Sequence, residues 1–222
     1  MSEPILVDND VALKLCAYSC AKELVDLVKS KDKSLAMLGV ARYSIGRRVQ
    51  RARNIYNPDA LKHQWAMLSE SLIWIEPTTE EIAFAAELEQ QAIEMNVELD
   101  GGESQLFAIL VYRLSPLLLT GDKRAIAALE MIGQAFPTEK VACLEQIVYT
   151  LLKTVGAATL QSRICCEPAV DRSICLAFGC NTKADPVSVS SIETGLMSYI
   201  GSVRASAPQI LTQANDLSAI VS

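Results

Sequence analysis

The sequence is poor in histidine, since His63 is alone among 222 residues, and its seven cysteines contain no C-x-x-C pair. Histidines and paired cysteines supply the ligands of most structural zinc sites. The composition therefore favours buried free thiols in a reducing compartment, with a structural zinc site as the lesser alternative. We do not expect His63 to act as a general base.

The sequence also lacks a long apolar run. The best candidate, residues 106–119, is interrupted by Arg113 and Pro116 and is too short to cross a bilayer. The N-terminal segment reaches Asp8 and Asp10 without a basic region or a long apolar region, so we expect no signal peptide. These absences favour a cytoplasmic protein with no membrane partner.

Aromatic residues are few, at 5% of the chain, whereas half of the residues are apolar. This combination is typical of a globular protein that can bury a good core. The length suits one domain with a large extension, or two small domains.

The formal net charge is −6, which by itself argues against a nucleic-acid partner, but the positive charge is concentrated. Half of all the arginines fall in one short segment, which we call the arginine stripe: Arg42, Arg47, Arg48, Arg51 and Arg53. Arg47, Arg48 and Arg51 share one side of a predicted helix, and Tyr43 and Tyr56 lie close enough in sequence to stack on bases. Two interpretations stay open: a solvated face paired with acids of the chain, or a patch that binds the RNA backbone.

Short apolar runs predict strands at residues 4–7, 71–75 and 117–120, and residues 35–40 are ambiguous between strand and helix. Helical patterns lie between them, beginning at Val11, in the arginine stripe, and near Glu103 and Asp122. Thr78 and Glu81 form a capping-box pattern for a helix over residues 79–96. The alternation predicts an α/β fold with a central parallel sheet and helices on both faces.

The chain changes character after Pro137. A helical stripe follows, charges become sparse, and serine and alanine increase; the stripe comprises Val141, Leu144, Val148, Leu151 and Val155. We interpret residues 1–135 as one domain and residues 136–222 as a mainly helical C-terminal extension. The low charge of the extension favours packing on the first domain, on a protein partner or in a homo-oligomer.

Three acids, Asp8, Glu103 and Asp122, each follow a predicted strand or loop end. Carboxylates at the same edge of a parallel sheet can converge, and they repel one another unless a cation such as Mg²⁺ or Mn²⁺ lies between them. Asp100 is a further direct or water-mediated ligand in this interpretation. Asp10 shares a face with Asp8 only if the first strand continues that far. Taken singly, each acid also has an ordinary explanation as a helix cap.

A divalent ion in such a pocket would orient or deprotonate a water molecule for in-line attack on a phosphodiester. It would also neutralise charge on the scissile phosphate and on the leaving oxygen. The acids therefore predict metal-dependent chemistry on a phosphate ester.

Three segments resemble the motifs of PIN-domain nucleases. ILVDNDV, beginning at Ile5, is similar to the D-(T/S/N)-x-V element after their first strand. DGGESQLFAIL, beginning at Asp100, resembles the helix start of one PIN subgroup, and LLLTGDKRAIAAL, beginning at Leu117, resembles their L-(L/V)-T-x-D-x-x-A element. The order and spacing of the three segments agree with the family over residues 4–133.

The resemblance implies a three-layer α/β/α domain with a central parallel sheet and an acidic pocket that binds Mg²⁺ or Mn²⁺. It implies endoribonuclease activity, often as the toxin of a toxin–antitoxin pair, so the expected partners are RNA and an antitoxin protein. Asp8, Glu103 and Asp122 would be the metal-site acids, and Thr120 would be the hydroxyl residue that supports them.

One feature departs from the family pattern. PIN nucleases usually carry another acid, commonly Glu, in the region equivalent to residues 35–49, and this chain has none there. The leading hypothesis is a metal-dependent endoribonuclease. The alternative is a catalytically impaired PIN-like module that binds RNA or protein, and a phosphatase or DNA nuclease would use the same kind of pocket.

Overall fold

A single parallel sheet organises the chain in the computed structural model, which describes residues 3–133, 136–180 and 187–219. The sheet of the described residues has the order β3-β2-β1-β4-β5. Its strands are β1 (Ile5–Val7), β2 (Leu35–Leu38), β3 (Leu72–Ile75), β4 (Leu118–Thr120) and β5 (Val141–Cys143). All strand pairs in it are parallel.

Helices cover both faces of this sheet. In chain order they are α1 (Asn9–Ala17), α2 (Ala21–Lys29), α3 (Ala41–Arg51), α4 (Pro58–Ser71), α5 (Thr79–Met95), α6 (Gly101–Tyr112), α7 (Lys123–Ile132), α8 (Leu144–Val155), α9 (Ala157–Cys165), α10 (Arg172–Ala177) and α11 (Val189–Ser206). Ile5 and Val7 belong to one buried cluster and Leu6 to a second, because successive strand side chains point to opposite faces. The predicted α/β fold with a central parallel sheet is confirmed, and the arrangement is compatible with three α/β/α layers.

The strand order reverses at β1. The chain runs from β1 to β2 and β3 on one side, and β4 then returns to the other side of β1. In β1 and β4, Leu6 is paired with Leu118 and Val7 with Leu119. A crevice opens at such a switch point, outside the carboxyl ends of the two strands, and is a common place for a ligand in open α/β sheets.

Local structure differs from the predictions at a few points. The helical pattern that begins at Val11 is divided into α1 and α2, with Ser19 between them in the left-handed region at φ 52°. The ambiguous segment 35–40 contains strand β2. Val141, predicted to be helical, lies in β5, because the apolar run Val141–Cys143 pairs with β4 and the helix begins only at Leu144.

The residues after 136 share the core of the residues before them. The predicted boundary between residues 135 and 136 falls just before β5, which completes the same sheet. Side chains of α8 and α11 lie in the buried cluster that contains Ile5, and Glu167 accepts hydrogen bonds from the backbone N–H groups of Tyr56 (2.9 Å) and Asn57 (2.7 Å). Among the described residues, no helix has both the length and the apolar character needed to span a membrane.

The cysteines correct one prediction. Cys16, Cys20 and Cys143 are buried thiols, as predicted, but Cys165 and Cys180 form a disulfide. Cys165 ends α9 and Cys180 follows α10, so packing of these short helices brings together two side chains that the sequence spacing did not suggest as a pair.

Replacement of Cys165 and Cys180 by serine should lower the free energy of unfolding by about 3 kcal/mol, because the disulfide closes a segment of 15 residues. Denaturant unfolding without reductant measures the loss. The exposed thiol Cys166 offers the control, since Cys166→Ser should leave the midpoint unchanged. If the unfolding midpoint of the parent protein is the same with and without reductant, the disulfide is not formed.

Candidate functional site

A pocket of about 510 Å³ opens outside the carboxyl ends of β1 and β4. Acids from separate segments line it: Asp8, Asp10, Asp100, Glu103, Asp122 and Asp171. Four basic residues line it as well: Lys14, Arg48, Lys123 and Arg124. The fold thus brings together the predicted acids, although Asp8 and Asp122 are 114 positions apart along the chain.

Asp8 lines this pocket and accepts hydrogen bonds from three donors. It is the N-cap of α1, and its Oδ1 accepts the backbone N–H of Val11 at 2.7 Å. Its Oδ2 accepts the hydroxyl of Thr120 at 2.5 Å and the N–H of Gly121 at 3.1 Å. Burial raises the pKa of Asp8 to about 6, against the opposing effect of these hydrogen bonds. Asp8 therefore caps a helix and lines the pocket at the same time, so the two interpretations of this residue do not exclude each other.

Thr120 connects two of the predicted acids. Its buried hydroxyl donates to Asp8 and accepts the backbone N–H of Asp122 at 3.2 Å. Gly121 follows it, and a Cβ there would lie 2.1 Å from Oδ2 of Asp10, so a side chain at this position would displace that carboxylate. Of the amino acids, only glycine at this position leaves the Asp10 carboxylate where it lies.

Asp122 is the N-cap of α7. Its Oδ1 accepts the N–H groups of Arg124 (2.8 Å) and Ala125 (3.3 Å), and its Oδ2 lies 3.2 Å from the guanidinium of Arg124. Burial acts to raise the pKa of Asp122, but the hydrogen bonds from Arg124 and Ala125 outweigh it, and the pKa lies below its ordinary value. Asp122 is therefore ionised at neutral pH.

Glu103 and Asp100 form a capping box at the start of α6. Oδ1 of Asp100 accepts the N–H of Glu103 at 3.0 Å, and Oε2 of Glu103 accepts the N–H of Asp100 at 3.2 Å. Burial raises the pKa of Glu103 to about 8, and the neighbouring carboxylates of Asp100 and Asp122 add to the effect. The charged form of Glu103 is thus disfavoured, and a nearby cation would relieve that cost.

The carboxylates of the pocket are the type of ligand that a hard cation prefers, but they are not arranged as a complete coordination shell. Carboxylate oxygens are the ligands that Mg²⁺ prefers, and Mg²⁺ commonly takes one or two of them and keeps several waters. Within the described ranges, no group of three or more His, Cys, Asp or Glu side chains is placed closely enough to hold a metal. Asp8, Asp100, Glu103 and Asp122 therefore offer ligands to one pocket without forming a complete shell.

Asp10 has a different role from the other predicted acids. It lies in the first turn of α1 rather than on β1, and its carboxylate is 2.7 Å from the ammonium group of Lys14. The same ammonium group is 2.7 Å from Asp171, the N-cap of α10. Asp10 thus lines the pocket as one of two acids that share the ammonium group of Lys14, and this network links α1 to the C-terminal part of the chain.

Sequence reasoning missed the lysines and the C-terminal acids of this network. Lys123 forms an ion pair with the buried carboxylate of Glu145 and donates to Ser173 Oγ at 3.0 Å. The ion pair is close, although neither oxygen of Glu145 accepts a hydrogen bond of good geometry within the described residues. Glu145 lies in the first turn of α8, two residues after β5, so a predicted strand at Val141–Cys143 would have placed it at the same edge of the sheet.

The arginine stripe lies along α3 and beyond its end, beside the pocket. Of the three predicted RNA-binding residues, Arg48 lines the acidic pocket, Arg51 lines a neighbouring cavity, and Arg47 donates to the carbonyl of Tyr43 at 3.4 Å. Arg42 stacks over Trp74 at 4.7 Å from the ring centroid. No arginine of the stripe forms an ion pair with a carboxylate in the described part of the chain, so the structure does not show the predicted pairing with acids.

The raised pKa of Glu103 makes stability depend on pH. The folded protein binds this proton more tightly than the unfolded chain, so the contribution of Glu103 to the free energy of unfolding falls as pH rises from 4.5 to about 8. Glu103→Gln keeps the acceptor for Asp100 without the charge. In EDTA at pH 8 the variant should be more stable than the parent by about 1 kcal/mol after allowance for solvent screening, and equally stable near pH 4.

Denaturant unfolding across this pH range measures the difference, with the exposed Glu70→Gln as the matched control. If the gap between Glu103→Gln and the parent does not change with pH, the carboxyl of Glu103 is not destabilised by its surroundings.

Comparison with known proteins adds no relative to this description. No family model, no curated protein and no solved structure matches the chain.

Proposed function

We propose that the protein is a metal-dependent endoribonuclease of PIN type that hydrolyses RNA phosphodiester bonds. The observation that carries the proposal is the convergence of Asp8, Asp100, Glu103 and Asp122 on one pocket at the switch point of a parallel sheet. These acids come from the three segments that resemble PIN motifs. The central parallel sheet with helices on both faces is also what the resemblance implies.

Asp8, Glu103 and Asp122 would hold Mg²⁺ or Mn²⁺, with Asp100 as a further direct or water-mediated ligand. The ion would supply charge neutralisation at the phosphate and a more acidic water. Thr120 and Gly121 fix the orientation of Asp8 through their hydrogen bonds to Oδ2. The cation would also stabilise the charged form of Glu103, whose pKa is raised by burial in the absence of metal.

The substrate phosphate needs positive groups that are not already neutralised. Lys14 and Lys123 are each occupied by acids, whereas Arg48 is exposed, lines the pocket and forms no ion pair with a described residue. A guanidinium presents a planar set of donors suited to phosphate oxygens. Arg48 is therefore the residue that binds the phosphate in this proposal.

The wider biological proposal is a toxin that acts on RNA in the cytoplasm and is suppressed by an antitoxin partner. A neighbouring reading frame that encodes a small DNA-binding antitoxin would support this extension. The nuclease proposal does not depend on it.

Asp122→Asn should reduce RNA cleavage in Mn²⁺ by about 100-fold or more, because the loss of one carboxylate ligand weakens binding of the ion that would neutralise charge on the phosphate. Asparagine keeps the N-cap of α7, so folding should be unaffected. Gel analysis of a labelled RNA measures the rate, and Asp59→Asn, a first-turn acid outside the pocket, is the control. Cleavage by Asp122→Asn at the parent rate would remove Asp122 from the mechanism.

A second candidate function is a PIN-like RNA- or protein-binding module without turnover. Arg48 favours it, because a guanidinium lines the pocket of a chain that lacks the family's additional acid. Its positive charge opposes a divalent cation in the same space. This candidate predicts RNA binding without hydrolysis, whereas the nuclease predicts hydrolysis that EDTA abolishes.

Arg48→Glu should tighten Mn²⁺ binding by about tenfold, because it removes a repelling charge and adds a carboxylate at the pocket wall. Calorimetric titration of Mn²⁺ measures the change, and Arg42→Glu, which alters the charge equally on the same helix outside the pocket, is the control. Equal affinities for the two variants would mean that Arg48 does not influence the acids.

A further inference from the structure

A second cavity, of about 270 Å³, adjoins the acidic pocket. Arg48 lines both of them, so the two spaces meet at its side chain. We call this second space the arginine cavity. Its other principal lining residues are Arg51, Arg53, Leu13, Ile55 and Leu61.

The charged residues of this cavity are free to bind a ligand. Arg48, Arg51 and Arg53 are exposed, and none of them forms an ion pair with a described carboxylate. Arg48 and Arg51 lie in the last turn of α3, where a cation also stabilises the helix dipole by some tenths of a kcal/mol. The helix dipole does not explain the position of Arg53, which lies beyond the end of α3, and it does not explain the cavity that the three arginines line.

The floor of the arginine cavity is apolar. Leu61 is buried, and Leu13 and Ile55 are half-buried side chains that pack on the main core. An apolar floor beneath a rim of unpaired guanidinium groups is complementary to a ligand that has both a flat apolar part and an anionic part. A nucleotide has both, in its base and its phosphate.

The outer rim is fixed in place and carries an aromatic side chain. The carboxylate of Glu167 accepts the N–H groups of Tyr56 and Asn57, so the backbone here needs little ordering when a ligand binds. Tyr56 itself is 75% exposed and lines a shallower space that shares Ile55 with the arginine cavity. The acidic pocket and the arginine cavity thus share Arg48, and the arginine cavity and the space at Tyr56 share Ile55.

We propose that the arginine cavity is a subsite for single-stranded nucleic acid, holding the nucleotide next to the phosphate in the acidic pocket. Arg51 and Arg53 bind its backbone phosphate, the apolar floor receives its base, and Tyr56 stacks on the following base. A duplex keeps its bases stacked and paired, so only an unpaired strand can insert a base into the floor. The position of the cleaved bond rests on the proposed nuclease function, but binding to the cavity is measurable without it.

The first experiment measures the phosphate contacts by fluorescence anisotropy of a labelled single-stranded RNA in EDTA, where no cleavage occurs. Arg51→Gln and Arg53→Gln should each weaken binding about fivefold at 0.1 M salt and make the slope of log K against log salt shallower by about 0.7, the effect of one phosphate contact on a single strand. Lys29→Gln removes the same charge from the surface of α2 and should change neither quantity beyond a general charge effect. Equal effects of all three variants would overturn the assignment.

The second experiment measures the base contacts. A single-stranded DNA should bind at least about fivefold more tightly than an abasic strand with the same phosphates, and Tyr56→Leu should reduce that preference. A duplex of the same sequence should bind more weakly than either of its strands. Equal binding of the abasic strand or of the duplex would overturn the subsite, as would equally strong displacement of the RNA by an acidic peptide.

The two proposals fail separately. Asp122→Asn should bind the RNA normally in EDTA, whatever its cleavage rate. Loss of binding in Arg51→Gln with no nuclease activity in the parent would support the subsite and refute the enzyme. If the parent cleaves RNA but Arg51→Gln and Arg53→Gln bind RNA normally, the nuclease is supported and the subsite is refuted.

Discussion

The hydrogen bond from Thr120 to Asp8 is the contact on which the pocket depends. It joins the carboxyl ends of β1 and β4 at the place where the strand order reverses, and it is buried on both sides. The same threonine oxygen accepts the N–H of Asp122, so one hydroxyl sets the relative positions of two acids. Because Asp8 has little contact with water, its orientation is determined by these donors rather than by solvent.

Much of this geometry could be predicted from the sequence. Short apolar strands that alternate with capped helices specify a parallel sheet, and the acids that follow β1 and β4 must then lie at one edge of it. Thr78 and Glu81 form the predicted capping box at α5. The placement of Glu103 was harder to predict, because it depends on how α6 packs against the sheet; the Asp-Gly-Gly-Glu pattern fixes only the start of that helix.

The remaining features depend on tertiary packing that local patterns do not encode. Val141 fits the helical stripe of α8 as well as it fits a strand, and only the partner β4 decides between them. Lys14 is an ordinary helix residue until Asp171, far along the chain, comes to lie beside it. The pair Cys165 and Cys180 likewise depends on the packing of α9 and α10, so spacing alone predicted free thiols for both.

Strand β5 limits where the chain could be truncated. It covers the outer side of β4, and its backbone satisfies hydrogen-bonding groups of Leu118–Thr120. A protein that ended before residue 136 would leave that apolar strand as an open sheet edge, which is a template for pairing with other chains. Such a shortened chain would be prone to aggregation, and the acids of the pocket would lie beside the unpaired edge of β4.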